Sequence, residues 1–201
     1  HNPAFAMSDE APAGIYWLGA GSDLLIEDCV IRGYAVGAAL HGEAEAPLED
    51  VRLRRCIIYG CYGDPGKGYG LWTRRVNGLT LQECVLDQNG WHPTIRLSGQ
   101  PPERSLMNAN MLADIGTRDV LVEGCLLSRS AGAALDLASG GTVRGNVFYG
   151  NPVAVSAGAP LLGSPAELDE PAEVQVLGNV VLHGQEATDG QGGRGVVLSH
   201  V

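Results

Sequence analysis

Aromatic residues are scarce in this 201-residue chain, at 5% of positions, and 13 cationic residues face 23 acidic ones. The first scarcity excludes a core built on large rings. The second, with a formal charge of −10, argues against general nucleic-acid binding, which needs a basic surface. No run of roughly 18 apolar residues occurs, so no helical membrane span is expected. Helical spacing of apolar residues is also missing; they alternate over short runs closed by Gly, Asn, Asp or Pro, as strands and turns do. Neither Cys-x-x-Cys nor His-Glu-x-x-His is present, and no carboxylates cluster as calcium would require. No metal and no cofactor is expected.

What the chain does have is one short phrase, written six times. The copies are LLIEDCVIRG from Leu24, VRLRRCIIYG from Val51, LTLQECVLDQNG from Leu79, VLVEGCLLSRS from Val120, TVRGNVFYGN from Thr142 and VQVLGNVVLHG from Val174. Their anchors, Cys29, Cys56, Cys84, Cys125, Asn146 and Asn179, are separated by 27, 28, 41, 21 and 33 residues. A constant phrase at unequal intervals means stacked units of fixed core, with loops of varying length between them.

Four of the five cysteines occupy the anchor position, where a disulfide framework would scatter them. They read as small buried hydrophobes replacing Asn in a stacked turn, and as free thiols, with Cys61 standing apart. Length and 45% hydrophobic content suit one domain over residues 1–201. His1 begins without Met or a signal pattern, so the sequence reads as a piece of something longer.

Each phrase reads as two strands bent at the anchor, and a third apolar run follows: GIYWLGA at Gly14, GAALHG at Gly37, GLWTRR at Gly70, NMLADIG at Asn110, AALDLAS at Ala133, VAVSAG at Val153 and GVVLSH at Gly195. Three short strands per coil, over six to seven coils at about 4.8 Å per rung, make an all-β solenoid in which the anchors form a ladder. A leucine-rich repeat would need a helical segment where these second Gly-flanked runs stand. From Gly14 to Gly184 the chain resembles the right-handed parallel β-helix proteins of pectate-lyase-like fold. That resemblance implies a carbohydrate-active scaffold, outside the cell or in its envelope, with a polysaccharide as partner.

Long insertions precede the third run (Cys61 to Tyr69, Asp87 to Ala109) and follow it (Gly42 to Asp50, Gly158 to Glu173), so they would wall a groove over that strand column. Alternation sends His41, Trp72, Arg74, Asp114 and Asp136 outward, as one candidate sugar-binding column. Either Tyr16 or Trp17 faces outward in the first run. Asp114 and Asp136, on adjacent rungs about 4.8 Å apart, would sit near the ~5–5.5 Å spacing of a retaining glycosidase pair. The insertion carrying Trp91, His92 and Arg96 is the second candidate, with His92 as a titratable base and Arg96 as a uronate partner. The Arg52, Arg54 and Arg55 cluster is read as outward strand positions.

Motif carry-over adds nothing to these sites. The Asp-Asp, Asn-Thr-Asp, Gly-His-Gly and Arg-Ile-Lys motifs of polygalacturonases are absent, as is the Arg-x-Pro-x-x-Arg motif of pectate lyases. Two functions therefore compete: a hydrolase or lyase acting on a polysaccharide in the groove, and a non-catalytic module that binds glycan or serves as a rigid surface element. End-to-end association or flanking domains would protect the exposed ends of such a coil.

Overall fold

The computed structural model describes residues 12–63, 67–91, 108–158, 173–185 and 193–199, and within them all regular structure is β, with no helix. Twenty strands, numbered in chain order, form three parallel sheets. The phrase's first strand gives sheet one: β2 (Gly21–Ser22) and β3 (Leu25–Glu27), then β6 (Leu48–Arg54), β9 (Val76–Gln82), β12 (Arg118–Glu123), β15 (Gly140–Arg144) and β18 (Glu173–Leu177). Its second strand gives sheet two: β4 (Val30–Arg32), β7 (Ile57–Tyr59), β10 (Val85–Asp87), β13 (Leu126–Ser128), β16 (Val147–Tyr149) and β19 (Val180–Leu182). The third run gives sheet three: β1 (Ala13–Leu18), β5 (Val36–His41), β8 (Tyr69–Arg74), β11 (Ala109–Ala113), β14 (Ala133–Leu137), β17 (Val153–Gly158) and β20 (Arg194–Ser199).

Inward residues fuse into one core. Ile26, Leu53, Leu81, Val122 and Val143 are buried in register on sheet one, facing Ile58, Leu86, Leu127 and Phe148 of sheet two. Val176 holds the same inward position but is 36% exposed, because β18 ends sheet one and no described rung stacks beyond it.

The anchors form the expected ladder, closed by hydrogen bonds between rungs. The amide of Cys56 donates to Cys84 Sγ (3.4 Å), that of Cys84 to Cys125 Sγ (3.4 Å), that of Cys125 to Asn146 Oδ1 (2.8 Å), and that of Asn146 to Asn179 Oδ1 (2.9 Å). All five cysteines are free thiols. Burial pushes the Cys56 thiol up to about 11, which keeps it protonated and unreactive near neutral pH.

A second ladder runs along the corner between sheets two and three, five residues after four of the anchors. There Cys61 N donates to Asn89 Oδ1 (3.0 Å) and Ser130 N to Asn151 Oδ1 (2.9 Å), while Asn89 and Asn151 return Nδ2 to the carbonyls of Ile58 (3.0 Å) and Leu127 (2.9 Å). Cys61 therefore has a place in the repeat after all.

Candidate functional site

Sheet three does not alternate strictly, and this sets the geometry of its outer face. Ala134 and Leu135 both enter the core, so the strand kinks between two inward residues before alternation resumes. Beyond the kink, outward side chains fall into two columns. The first holds Tyr16, Ala39, Trp72, Leu112, Asp136 and Ser156. The second, two residues further on, pairs Leu18 with His41 and His41 with Arg74, and Asp114 extends it through its amide bond to Thr73 O (2.8 Å).

The single expected column is thus two. It still brings His41, Trp72, Arg74 and Asp114 together. The His41 imidazole stands edge-on to Trp72 at 4.5 Å between ring centroids, and Tyr16 approaches His41 at 6.2 Å. Trp72 donates Nε1–H to Asp114 Oδ2 at 3.4 Å, while Asp114 Oδ1 accepts the Ile115 amide at 2.8 Å. Tyr69 packs on the other side of Trp72 at 5.6 Å. Tyr16 is the outward residue of the first run, while Trp17 shares the register of inward Leu40.

Asp136 departs from the expected straight-across geometry. Its register partner is Leu112, so it lies one rung over and two residues back from Asp114. That diagonal is roughly 8 Å between backbones, longer than the one-rung separation. Asp136 is also 8% exposed, although it occupies an outward position.

Electrostatics in this patch follow from burial. The His41 pKa lies below its ordinary value, chiefly because burial disfavours the imidazolium, with the nearby Arg74 charge adding to the effect and Asp114 opposing it. Burial also raises the Tyr69 phenol, helped by the charges of Asp114 and Asp136. His41 Nε2 and Arg74 Nε are shielded from water and make no hydrogen bond among the described residues. Other arginines do have partners: Arg54 and Arg55 pair with Glu27, Arg55 chelates Asp28 at 2.8 Å through both nitrogens, and Arg144 pairs with Glu123 at 2.7 Å. The Arg52–Arg55 cluster is therefore absorbed by carboxylates of the preceding rung.

Trp91 belongs elsewhere. Its indole donates to Arg129 O at 2.9 Å, and its backbone bridges Tyr62, which ties the start of the long insertion to the corner between sheets. His92 and Arg96 lie outside the described residues. Among the described residues no group of three or more His, Cys, Asp or Glu is placed to hold a metal. Sequence reasoning left Tyr16 open against Trp17 and missed Tyr69; the signal that places both is their offset from Gly14 and Gly70, shared with the runs that carry Ala39, Trp72 and Val36.

The family model described as right handed beta helix region matches residues 8–197. No curated protein and no solved structure matches the chain.

Proposed function

We propose, because this chain belongs to the right handed beta helix region family, that the outer face of sheet three binds a polysaccharide. The observation that carries the reading is the contact of Trp72 with both His41 and Asp114, beside an Arg74 whose Nε has no partner among the described residues. An indole covers the apolar C–H face of a sugar ring, and a carboxylate, an imidazole and a guanidinium supply acceptors and donors for its hydroxyls. Polar atoms held without partners cost about 1–3 kcal/mol each, a cost that a hydroxyl-bearing ligand offsets. Successive rungs repeat at about 4.8 Å, so an extended chain lying along the stack meets polar groups on several rungs.

The test is titration against a panel of neutral and acidic polysaccharides, with new reducing ends and unsaturated uronates monitored in the same samples. Trp72→Ala and Arg74→Gln should each weaken binding roughly tenfold or more. Binding indifferent to both changes would remove the face from consideration. A second reading, glycoside hydrolysis by Asp114 and Asp136, draws on their diagonal. A backbone diagonal of roughly 8 Å has room for the ~6.5–9.5 Å between carboxyl groups that inverting enzymes use, more readily than for the ~5–5.5 Å of a retaining pair. Any hydrolysis should then release product of inverted anomeric configuration.

A further inference from the structure

Every phrase carries two consecutive apolar residues after its anchor, and the core needs only the second. Ile31, Ile58, Leu86, Leu127, Phe148 and their counterpart on β19 point inward. The first of each pair points outward on sheet two, in one unbroken register: Val30, Ile57, Val85, Leu126, Val147 and Val180. Val85 is half-buried and the other five are 37–65% exposed. Sheet one shows what a solvated face of this coil looks like: Arg52, Thr80, Leu121, Thr142 and Gln175 share one outward column there, and Arg54, Gln82, Glu123 and Arg144 share another. Six aliphatics in a row on sheet two are therefore not a by-product of the repeat.

We propose that this stripe is the interface of a homodimer, in which two copies pack sheet two against sheet two with their coils antiparallel. Six aliphatics spaced at the rung repeat are best matched by a surface with the same repeat, and a second copy supplies one. The flanking turn fits the antiparallel arrangement. Its residue just before the anchor is Asp28, Arg55 and Glu83 on the first three rungs, and Gly124, Gly145 and Gly178 on the last three. A two-fold axis between β10 and β13 sets each of those side chains against a bare glycine of the other copy. The same axis passes beside Asp87 and Arg129, which are paired across the central rungs with Nε–Oδ1 at 2.8 Å. In the dimer, Asp87 of each copy faces Arg129 of the other, so the two ion pairs meet with signs crossed.

A face six rungs long, with strands of three residues each and so about 10 Å wide, gives roughly 300 Å² per copy before its flanking turns are counted, below the size of long-lived interfaces, so the dimer should be weak and readily reversible. Sheet three takes no part in it.

Sedimentation of the full chain across micromolar to millimolar concentration should show a monomer–dimer equilibrium. Leu126→Lys with Val180→Lys should weaken it at least roughly tenfold while the melting temperature of the monomer is kept. The isosteric pair Val147→Thr with Val180→Thr should weaken it in the same direction, and serves if the lysine variant folds poorly. Under mild copper oxidation, Ile57→Cys with Val147→Cys should give a covalent dimer that neither single variant gives. A chain that remains monomeric throughout, or a dimer indifferent to the stripe substitutions, overturns the proposal. Crosslinking by Ile57→Cys alone overturns the antiparallel arrangement.

Discussion

At the residue scale, two chemically different side chains serve one position in the anchor ladder. Asn146 accepts the Cys125 amide at its Oδ1 and returns Nδ2 to Val122 O at 2.9 Å, so it satisfies a donor and an acceptor that the core hides from water. A thiol performs both tasks less well: Cys125 Sγ accepts the Cys84 amide at 3.4 Å and lies 3.6 Å from Leu81 O. Asn146→Ala should therefore cost about 2–4 kcal/mol in chemical denaturation, the sum of two stranded backbone groups. Asn146→Cys should recover part of that loss, and equal costs for both would show that hydrogen bonding is not what the position supplies. His41 gives a second expectation at this scale. Its folded pKa is depressed, so as pH falls below the ordinary value of about 6.5 the unfolded chain takes up the proton first. The His41 contribution is complete above that pH and is lost as pH falls from it to the folded value. Thermal melts from pH 8 to pH 5 should thus fall less steeply for His41→Gln than for the native chain.

At the element scale, each turn before an anchor needs a residue in the left-handed region. Glycine fills it at Gly124 (φ 63°), Gly145 (φ 63°) and Gly178 (φ 59°), while Asp28, Arg55 and Glu83 hold it at φ of 50–54°. A Cβ on Gly145 would meet nothing within 4 Å, so Gly145→Ala isolates the backbone cost, about 1–2 kcal/mol, readable from urea midpoints. Glu83→Gly should change stability by less than about 1 kcal/mol, because relief of the strained φ is offset by the freer unfolded chain. Strand identity was legible because anchors and Gly-flanked runs repeat, and the seven runs became the seven strands of sheet three. The second ladder went unread, with Cys61 set apart, although its signal is present as the Cys, Asn or Ser five residues after four of the anchors. The position of Asp136 was harder to read. Counting from the inward pair, Asn110 aligns with Ala134, which places Asp114 at +4 but Asp136 at +2; assuming strict alternation hid the kink that fixes this count. Burial of an outward Asp could not be read from the phrase at all, since the phrase fixes the register of a strand and not what surrounds its outer face.

At the scale of the whole molecule, stability is close to a sum over rungs and the interfaces between neighbours. Interior rungs have a neighbour on both sides, and Leu53, Leu81, Val122 and Leu127 are fully shielded there. The last described rung has one among the described residues. Its inward residues Val176, Val181, Val196 and Leu198 are exposed, and β18, β19 and β20 each end a sheet. Opening that rung breaks a single interface and uncovers little new apolar surface, so it should cost a fraction of the global unfolding free energy. Native-state amide exchange should then be fastest in β18 to β20 and slowest in β9, β10, β12 and β13, with protection rising inward from the end. Paired substitutions report the same gradient: Leu81→Ala should cost about 2–5 kcal/mol, and Val181→Ala well under half as much, because the last rung leaves little cavity to create. Protection in β20 equal to that in β12 at low protein concentration would mean the rungs open only together, and the additive description would fail. Protection that appears in β18 to β20 only as concentration rises would mean that the open end, as well as the apolar stripe, meets another copy.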